Sequence, residues 1–499
     1  MIFVPSEHQK AVFKFVESGN GSAVVKAVAG SGKTTTVVQS LKGVPVDKKA
    51  QIIAFNKNIA QELQRRVPPH IYASTFHSMG YRAIGNKFKN GGTGIKVEGD
   101  KVRSLFKAST SNEDFKSYAG FVPSLVSLAK NYGLGTPDGP SAKEHETWGE
   151  LVDHFDLSTS GYRGYESEEE GIRMAMGLLV HSNKRSERGE IDFDDMIYLP
   201  SLWDLNMYWN DFVFVDEAQD TNPMRRNIIR KVLGRNGRLI AVGDPRQAIY
   251  GFQGASHDSI NQIMRQFNCR ELPLTVSFRC PQAVVRLAQT LVPYIEAHKD
   301  APEGEVLRPD EWRRKDYAPT DAILCRLNAP LMKEAMRLMA EGIGCQILGA
   351  DIGKGMVDLI NKMRASNLTE LEVRLHSWSR SEYDRLIMRD KKAKAQRILD
   401  KVEAIGSVVE GLEAGEHTVE GVMNRIKRMF TDNAQKGLLT LSTVHKAKGR
   451  EWKRVFILKP ELMPFGKGLK EWQLEQEFNL MYVAYTRAME TLVFLPREE

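Results

Sequence analysis

The sequence predicts an α/β protein with two domains, each built on a sheet of parallel strands. Short runs rich in β-branched residues end in polar or glycine-rich turns, and helical patterns separate these runs, as in buried parallel strands. A length of 499 residues is also too great for one hydrophobic core. The runs form an earlier set at 22–28, 51–55, 211–217 and 238–244, and a later set at 321–326, 438–445, 454–459 and 491–495.

Two regions with helical patterns fall outside these sets, which predicts one helical insertion in each α/β domain. The charged run at 389–397 in the second insertion is interpreted as a solvated helix face, with contact to duplex DNA as the alternative. The predicted organisation is a first α/β domain at 1–85 and 191–267 around an insertion at 86–190, and a second at 268–350 and 436–499 around a shorter insertion at 351–435.

Composition limits the class of protein without identifying it. The net charge of +7 is compatible with a polyanionic partner, although many basic proteins bind no nucleic acid. The four cysteines form no CxxC pair, so neither a disulfide framework nor a zinc site is indicated and a reducing compartment is expected. There is no signal peptide pattern and no apolar run of membrane-spanning length, so we expect a cytoplasmic protein without a membrane partner.

The stretch AVAGSGKTTT at 27–36 follows a predicted strand and opens a predicted helix. In this context the glycines let backbone N–H groups face phosphate at the positive end of the helix, the lysine reaches the β and γ phosphates, and the threonine hydroxyl binds Mg²⁺. Ala27 stands where the strict P-loop pattern has a glycine, and the alternative is a glycine turn before a helix. The predicted nucleotide-binding residues are Ala29, Gly30, Ser31, Gly32, Lys33, Thr34 and Thr35.

The stretch FVFVDEAQD at 212–220 places two carboxylates at the end of a predicted buried strand. Asp216 would hold Mg²⁺, and Glu217 would polarise the attacking water. Acids at a strand end are common, but together with the phosphate loop they indicate hydrolysis of a nucleoside triphosphate rather than binding alone. No phosphoryl-acceptor signature of a kinase is visible.

Further stretches occur in a fixed order between residues 9 and 488. They include SEHQKAV, AFNKNIAQEL, STFHSMGYR, GDPRQAIYGFQGA, TVSFR, STVHKAKGREW and LMYVAYTRA. This order resembles the superfamily 1 DNA helicases of the UvrD/Rep type, which implies two RecA-like motor domains. AFNKNIA and TFHSMGYRAIG are similar to the branch that contains the eukaryotic F-box DNA helicases. No F-box is apparent, and the short chain suits a phage or bacterial member.

The resemblance implies ATP and Mg²⁺ as cofactors and assigns roles to residues in both domains. Gln9 would read the adenine edge, Phe278 would pack on the adenine and Glu451 would bind the ribose. Arg279 and Arg487 would be arginine fingers, and an arginine placed across a domain cleft couples hydrolysis to closure. Thr34 and Asp216 would hold the metal. With Gln247 as the γ-phosphate sensor, the implied catalytic residues are Lys33, Asp216, Glu217, Gln247, Arg279 and Arg487.

The resemblance also implies contacts with single-stranded DNA, for which aromatic platforms and cationic backbone contacts are typical. An aromatic residue at a strand end belongs more often to the core than to a binding platform, which is the alternative for Phe55 and Phe76. Pro245, Arg246, Gln253 and Ser277 differ from the family pattern. The implied DNA-binding residues are Phe55, Asn56, Thr75, Phe76, His77, Tyr250, Phe252, His445 and Lys446.

The resulting hypothesis is an ATP-dependent motor that translocates on single-stranded DNA and unwinds duplex, 3′ to 5′ by resemblance. One alternative is a single-strand-dependent ATPase that strips proteins or remodels recombination intermediates with little unwinding. Another is a DNA-binding scaffold with a vestigial P-loop, against which the intact catalytic residues argue. We expect a monomer that binds single-stranded DNA and single-strand/duplex junctions, with replication or recombination proteins as further partners, in the cytoplasm, at the nucleoid or in the cytoplasm of a phage host.

Overall fold

The computed structural model describes residues 3–89, 94–155, 157, 159, 167–249, 258–388, 392–432, 435, 437–466 and 469–497. The chain divides into two compact units, Met1–Val28 with Gly32–Thr275 and Ala29–Ser31 with Val276–Glu499. In the described part of the chain, no helix has the length and apolar character needed to cross a membrane.

The first unit contains a six-stranded parallel sheet with strand order β3-β2-β6-β7-β1-β8, and a separate parallel pair β4-β5. Ile52 and Ile53 of the sheet are fully buried, as expected of a parallel sheet covered on both faces. The strands are β1 (Ala23–Ala27), β2 (Ala50–Ala54), β3 (Ile71–Thr75), β4 (Lys96–Val97), β5 (Glu190–Ile191), β6 (Asn210–Val215), β7 (Leu233–Gly243) and β8 (Arg270–Leu274).

Helices cover this sheet and also form most of the segment between β4 and β5, which contains α5 to α9. Within that segment α7 packs against α8 and α9, and it also packs against α10. The helices are α1 (Glu7–Ser18), α2 (Lys33–Ser40), α3 (Lys57–Arg66), α4 (Phe76–Lys89), α5 (Lys101–Ser109), α6 (Asn112–Tyr118), α7 (Val122–Tyr132), α8 (His145–His154), α9 (Glu168–Ser186), α10 (Phe193–Leu202), α11 (Pro223–Val232) and α12 (Ser259–Gln266).

The second unit contains a seven-stranded parallel sheet with strand order β11-β17-β16-β12-β15-β13-β14, and a separate pair β9-β10. Its central strand β12 is fully buried between β15 and β16, with Ile323 beside Leu441 and Phe456. The strands are β9 (Val276–Ser277), β10 (Glu296–Ala297), β11 (Glu305–Leu307), β12 (Ala322–Cys325), β13 (Cys345–Leu348), β14 (Phe430–Thr431), β15 (Leu439–Thr443), β16 (Trp452–Ile457) and β17 (Ala488–Phe494).

Helices α15 to α18 of the second unit lie between β13 and β14, and α17 packs against both α14 and α16. Asp400 on α17 accepts the backbone N–H groups of Asn328 (3.1 Å) and Ala329 (2.8 Å), so its carboxylate caps the start of α14. The helices are α13 (Gln282–Ala288), α14 (Asn328–Ala340), α15 (Ala350–Met363), α16 (Leu368–Met388), α17 (Lys392–Glu410), α18 (Val419–Met429), α19 (Val444–Ala447) and α20 (Glu471–Tyr485).

The predicted fold class of two α/β domains with parallel sheets is confirmed. One strand differs from the predicted organisation. β8 pairs with β1 in the first sheet, whereas the predicted second domain begins at residue 268. The buried side chains of Leu272 and Leu274 explain the difference, because they complete the core of the first unit.

Candidate functional site

The loop between β1 and α2 has the backbone shape of a phosphate-binding turn. Gly32, the residue before α2, has φ 73° and ψ 35°, and Gly30 has φ 72°. These left-handed conformations favour glycine and turn the chain so that the first N–H groups of α2 stay open to a ligand. Ala29 and Ser31 are buried, and Thr35 lies partly buried in the first turn of α2.

The two carboxylates predicted from the sequence lie beside this loop. The Thr34 hydroxyl donates to Asp216 Oδ2 at 3.3 Å, and Lys33 Nζ lies 3.5 Å from Glu217 Oε2. Asp216 is 6% exposed. Burial, aided by the neighbouring charge of Glu217, raises the pKa of Asp216 to about 6. The hydroxyl and carboxylate oxygens of Thr34 and Asp216 form a donor set that fits Mg²⁺, which prefers oxygen ligands.

Gln219 holds the carboxylate segment to the end of β7, a role not assigned from the sequence. Its Nε2 donates to Glu217 Oε2, and its Oε1 accepts the N–H of Asp244 at 3.1 Å. A Cβ on Gly243 would collide with that same Oε1, so only glycine fits there. Glu217 itself has φ 51° and ψ 45°, a strained conformation for a non-glycine residue.

The predicted γ-phosphate sensor lies at the same edge of the sheet. Gln247 is 5% exposed, and its Nε2 donates to Asp244 Oδ2 at 2.8 Å. Burial raises the pKa of Asp244 to about 6. Tyr250 and Phe252, the predicted base platforms that follow, lie outside the described residues.

Gln9 lies next to the phosphate loop, with both ends of its amide engaged inside the protein. Its Nε2 donates to the Thr36 hydroxyl of α2 at 2.9 Å, and its Oε1 accepts the Ser6 N–H at 3.0 Å. The bond to Thr36 joins α1 to α2, and the bond to Ser6 belongs to the capping box at the start of α1. Recognition of adenine, as implied by the resemblance, would use the second hydrogen of Nε2.

In the second unit, the predicted nucleotide-binding residues are engaged with one another or with the backbone. Arg279 Nε lies 2.5 Å from Glu451 Oε2, and Phe278 is 42% exposed with its ring centroid 4.9 Å from that of His298. Arg487 is only 1% exposed, and it donates to the carbonyl oxygens of Val483 and Arg450, each at 3.0 Å.

Burial, followed by the charge of Arg279, lowers the pKa of Arg487 to about 10. The guanidinium is therefore a buried structural group in this conformation. To act as an arginine finger, Arg487 would have to exchange backbone carbonyls for phosphate.

The predicted DNA-binding residues of the second unit lie at the start of α19. Burial, followed by the charge of Arg326, lowers the pKa of His445 well below 6.5, so its ring is neutral at pH 7. Lys446 Nζ lies 2.7 Å from Asp351 Oδ1 on α15. Lys446 is thus paired with a carboxylate in this conformation.

In the first unit, four of the predicted DNA-binding residues line a groove of about 680 Å³ at the carboxyl ends of β2 and β3. Asn56 Oδ1 accepts the Ile59 N–H at 2.9 Å and caps α3, and Thr75 Oγ1 accepts the Ser78 N–H at 3.2 Å. Burial, followed by the charge of Arg225, lowers the pKa of His77. The lining includes four predicted residues, Phe55, Asn56, Thr75 and His77, and three aromatic residues not predicted, Tyr72, Tyr81 and Phe193.

Phe76 does not line this groove, so the geometry gives no support to the prediction that it contacts DNA. It is 5% exposed and belongs to the hydrophobic core of the first unit. Phe76 is the first residue of α4, and its burial leaves little of its ring exposed to a base.

Two sets of contacts join the groove to the segment that follows the carboxylates. Arg225 donates to the Asp220 carbonyl at 2.8 Å, and its guanidinium lies 5.2 Å from the ring centroid of Phe55. In the second set, Asn222 Nδ2 donates to Asn131 Oδ1 at 2.6 Å, and Asn131 Nδ2 donates to Asp194 Oδ1 at 3.1 Å. Asp194 directly follows Phe193 of the groove.

Comparison with known families gives two matches that together cover most of the chain. The UvrD/REP helicase N-terminal domain matches residues 7–268, and the UvrD-like helicase C-terminal domain matches residues 360–498. These matches confirm the resemblance drawn from the ordered motifs.

Similar proteins include F-box DNA helicases and Rep. F-box DNA helicase protein 1 of Schizosaccharomyces pombe is 24% identical over 94% of this chain and 55% of its own length. F-box DNA helicase 1 of Gallus gallus is 24% identical over 98% of this chain and 48% of its own length. ATP-dependent DNA helicase Rep of Escherichia coli is 24% identical over 56% of this chain and 42% of its own length. The chain thus spans about half the length of these relatives.

Proposed function

This chain belongs to the UvrD/REP helicase family, and on that basis we propose that it is an ATP- and Mg²⁺-dependent DNA helicase. We further propose that it translocates along single-stranded DNA with 3′–5′ polarity and acts at single-strand/duplex junctions. The observation that carries the proposal is the joining, within the first unit, of the start of α2 and two carboxylates to an aromatic groove. Arg225 contributes to this joining through the Asp220 carbonyl and the Phe55 ring.

The residues around the phosphate loop support hydrolysis. The open N–H groups of α2 and the Lys33 ammonium would hold the β and γ phosphates. Thr34 and Asp216 would hold Mg²⁺, which neutralises phosphate charge when bound. Glu217, kept in place by Gln219, would orient the attacking water and accept its proton.

Arg279 and Arg487 of the second unit would supply positive charge that stabilises the negative charge on the γ-phosphate in the transition state. Arg279 would exchange the Glu451 carboxylate for phosphate, which is an exchange of one anionic partner for another. Arg487 would follow only after leaving two backbone carbonyls.

The groove in the first unit supports binding of single strands without sequence preference. Phe55, Tyr81 and Phe193 offer ring faces for base stacking, and Phe193 is 58% exposed. Stacking on aromatic rings tolerates every base. A motor that steps along arbitrary DNA needs this tolerance.

The experiment measures ATP turnover with and without single-stranded DNA, together with strand displacement on duplexes carrying a 3′ or a 5′ tail. We expect DNA to stimulate turnover and displacement to require the 3′ tail. Lys33→Ala should abolish turnover with DNA binding retained, because it removes a phosphate contact outside the groove. Glu217→Gln should abolish turnover with ATP binding retained.

Each outcome decides a separate part of the proposal. Turnover that is unaffected by DNA would contradict a motor, and activity only on the 5′ tail would contradict the polarity. Translocation without strand displacement would replace the helicase with a translocase that clears or remodels DNA-bound proteins. Full turnover in Lys33→Ala would show that the phosphate loop is not the site of hydrolysis.

A further inference from the structure

Beyond the groove, the first unit carries a set of exposed aromatic side chains. The rings of two of them are in contact with a lysine or arginine side chain. Lys49 Nζ lies 4.2 Å from the ring centroid of Trp209, and the Arg82 guanidinium lies 5.0 Å from that of Tyr72. A third cation, Lys87, lies 5.2 Å from the ring of the partly buried Trp203. We define the aromatic–cation strip as Tyr72, Arg82, Lys87, Tyr208, Trp209 and Lys49.

Three aromatic side chains of the strip are about half exposed to solvent or more. Tyr208 is 69% exposed, Trp209 52% and Tyr72 46%. Large exposed aromatic side chains gathered on one surface mark sites of interaction. Within the described chain, the ammonium and guanidinium groups of Lys49, Arg82 and Lys87 form no ion pair with a carboxylate.

The acidic side chains nearest in sequence do not neutralise these cations. Asp204 pairs with Lys231 at 2.5 Å. Asp211 Oδ2 accepts the backbone N–H of Lys49 at 2.9 Å. The cations of the strip are therefore available to an anionic ligand.

The strip continues directly from the groove. Tyr72 lines the groove and also receives the Arg82 guanidinium, which donates to its hydroxyl at 2.7 Å. Arg82 in turn lines a small adjoining pocket together with Asn86 and Tyr208. Helix α4 runs along this path from His77 in the groove to Asn86 in the adjoining pocket.

We propose that the aromatic–cation strip is a second binding surface for single-stranded DNA and receives the part of the strand that leaves the groove. Rings that accept any base and cations that contact the phosphate backbone are the two features that sequence-independent binding requires. The proposal rests on the proposed function of the groove, since the strip extends it. The path from His77 to Asn86 spans about 14 Å of helix, which corresponds to about four stacked nucleotides.

The test measures the affinity of the full chain for oligothymidylates of about 4 and about 20 nucleotides by fluorescence anisotropy. The shorter strand fills the groove, and the longer one also reaches the strip. Trp209→Ala should weaken binding of the longer strand by about 5-fold or more, the effect of losing one stacked base, with the shorter strand unaffected. Tyr294→Ala, a 48% exposed aromatic residue in the second unit, is the matched control and should change neither affinity.

Two further measurements protect the test against a variant that folds poorly. The double variant Lys49→Gln/Lys87→Gln keeps every ring and should lower the salt dependence of binding to the longer strand by about one unit per lost contact. Wild-type protein should lose more tryptophan fluorescence than Trp209→Phe when the longer strand binds, because Trp209 stacks on a base.

The outcomes separate the strip from the groove. Equal losses on both strands, or no loss on either, would overturn the strip, as would an unchanged salt dependence in the double variant. If the strip serves a protein partner instead, Trp209→Ala should lose affinity for neither strand. Absence of binding to either strand in the wild type would overturn the proposed function itself.

Discussion

The variant Lys130→Met removes one charge from a buried cluster of two lysines and two aspartates in the first unit. Lys130 Nζ lies 2.7 Å from Asp192 Oδ2 and 2.7 Å from Asp195 Oδ1, and its side chain is 0% exposed. Lys101 on α5 also contacts Asp195. The cluster joins α5, α7 and the start of α10, and its two positive charges balance its two negative charges. Methionine at 130 leaves one negative charge without compensation.

Removal of one partner from a buried ion pair costs about 3–5 kcal/mol, because the remaining charge is held away from water. At about 2–4 °C per kcal/mol for a unit of this size, the melting temperature should fall by about 6–20 °C. Burial already raises the pKa of Asp192 in the wild type. Without Lys130 this carboxyl takes up a proton still more readily, which relieves part of the cost.

The sign of the pH dependence follows from that raised pKa. A carboxyl whose pKa is higher in the folded than in the unfolded state favours folding at low pH, and this contribution is lost as the pH rises through the folded pKa. The destabilisation by Lys130→Met should therefore be smaller at pH 5 than at pH 8. Denaturant titration at both pH values measures it.

A double variant tests the electrostatic cause directly. Lys130→Met/Asp192→Asn removes the uncompensated charge but keeps the side-chain oxygen that accepts the Asp195 N–H at 2.8 Å and caps α10. It should be more stable than Lys130→Met alone. The matched control Arg230→Met breaks an exposed pair with Asp138 and should cost about 1 kcal/mol or less. A cost below 1 kcal/mol for Lys130→Met, or one independent of pH, would refute the reasoning.

Three further predictions follow from buried or capping groups. Asp244→Asn should gain stability relative to wild type as the pH rises from 5 to 8, by about 1.4 kcal/mol, because burial raises the pKa of Asp244 to about 6; a constant difference across that range would contradict this. Arg225→Gln removes the cation beside Phe55 and should weaken single-strand binding about 2- to 5-fold in an anisotropy titration, whereas equal affinity would show that Phe55 is held by other contacts. Asp400→Ala should cost about 1–2 kcal/mol in denaturant titration by uncapping α14, and no loss would mean that water replaces the cap.

The phosphate loop and the carboxylates could be predicted from the sequence because their geometry depends on near neighbours. Gly32 adopts its left-handed conformation within the turn itself, and Asp216 and Glu217 follow the end of a strand that is visible as an apolar run. Residues whose role depends on the backbone conformation of their near neighbours can be recognised from a short stretch of sequence. Asn56 also acts on its near neighbours, because it caps the helix that follows it, although the resemblance assigns it only to DNA binding.

Other parts of the site depend on contacts between distant segments and could not be predicted. Phe193 lines the groove although more than 100 residues separate it from Phe55, and nothing in its own surroundings marks it as a groove residue. Lys101 and Lys130 look like surface charges in the sequence, because their aspartate partners lie 62 to 94 residues away. The burial of Phe76 could not be predicted either, since the burial of a helix face is decided by what packs against it.

Contacts in the first unit also connect the helical segment between β4 and β5 to the candidate site. Asn131 on α7 accepts from Asn222, which follows the carboxylates, and donates to Asp194, which adjoins the groove. One turn earlier on the same helix, Ser127 donates to Asp194 Oδ2 at 2.6 Å, and one residue before Asn131, Lys130 anchors the helix to α10. A shift of α7 would therefore move Asp194 together with the groove. The buried ion cluster that stabilises the first unit thus also sets the position of side chains that contact the DNA in the proposed function.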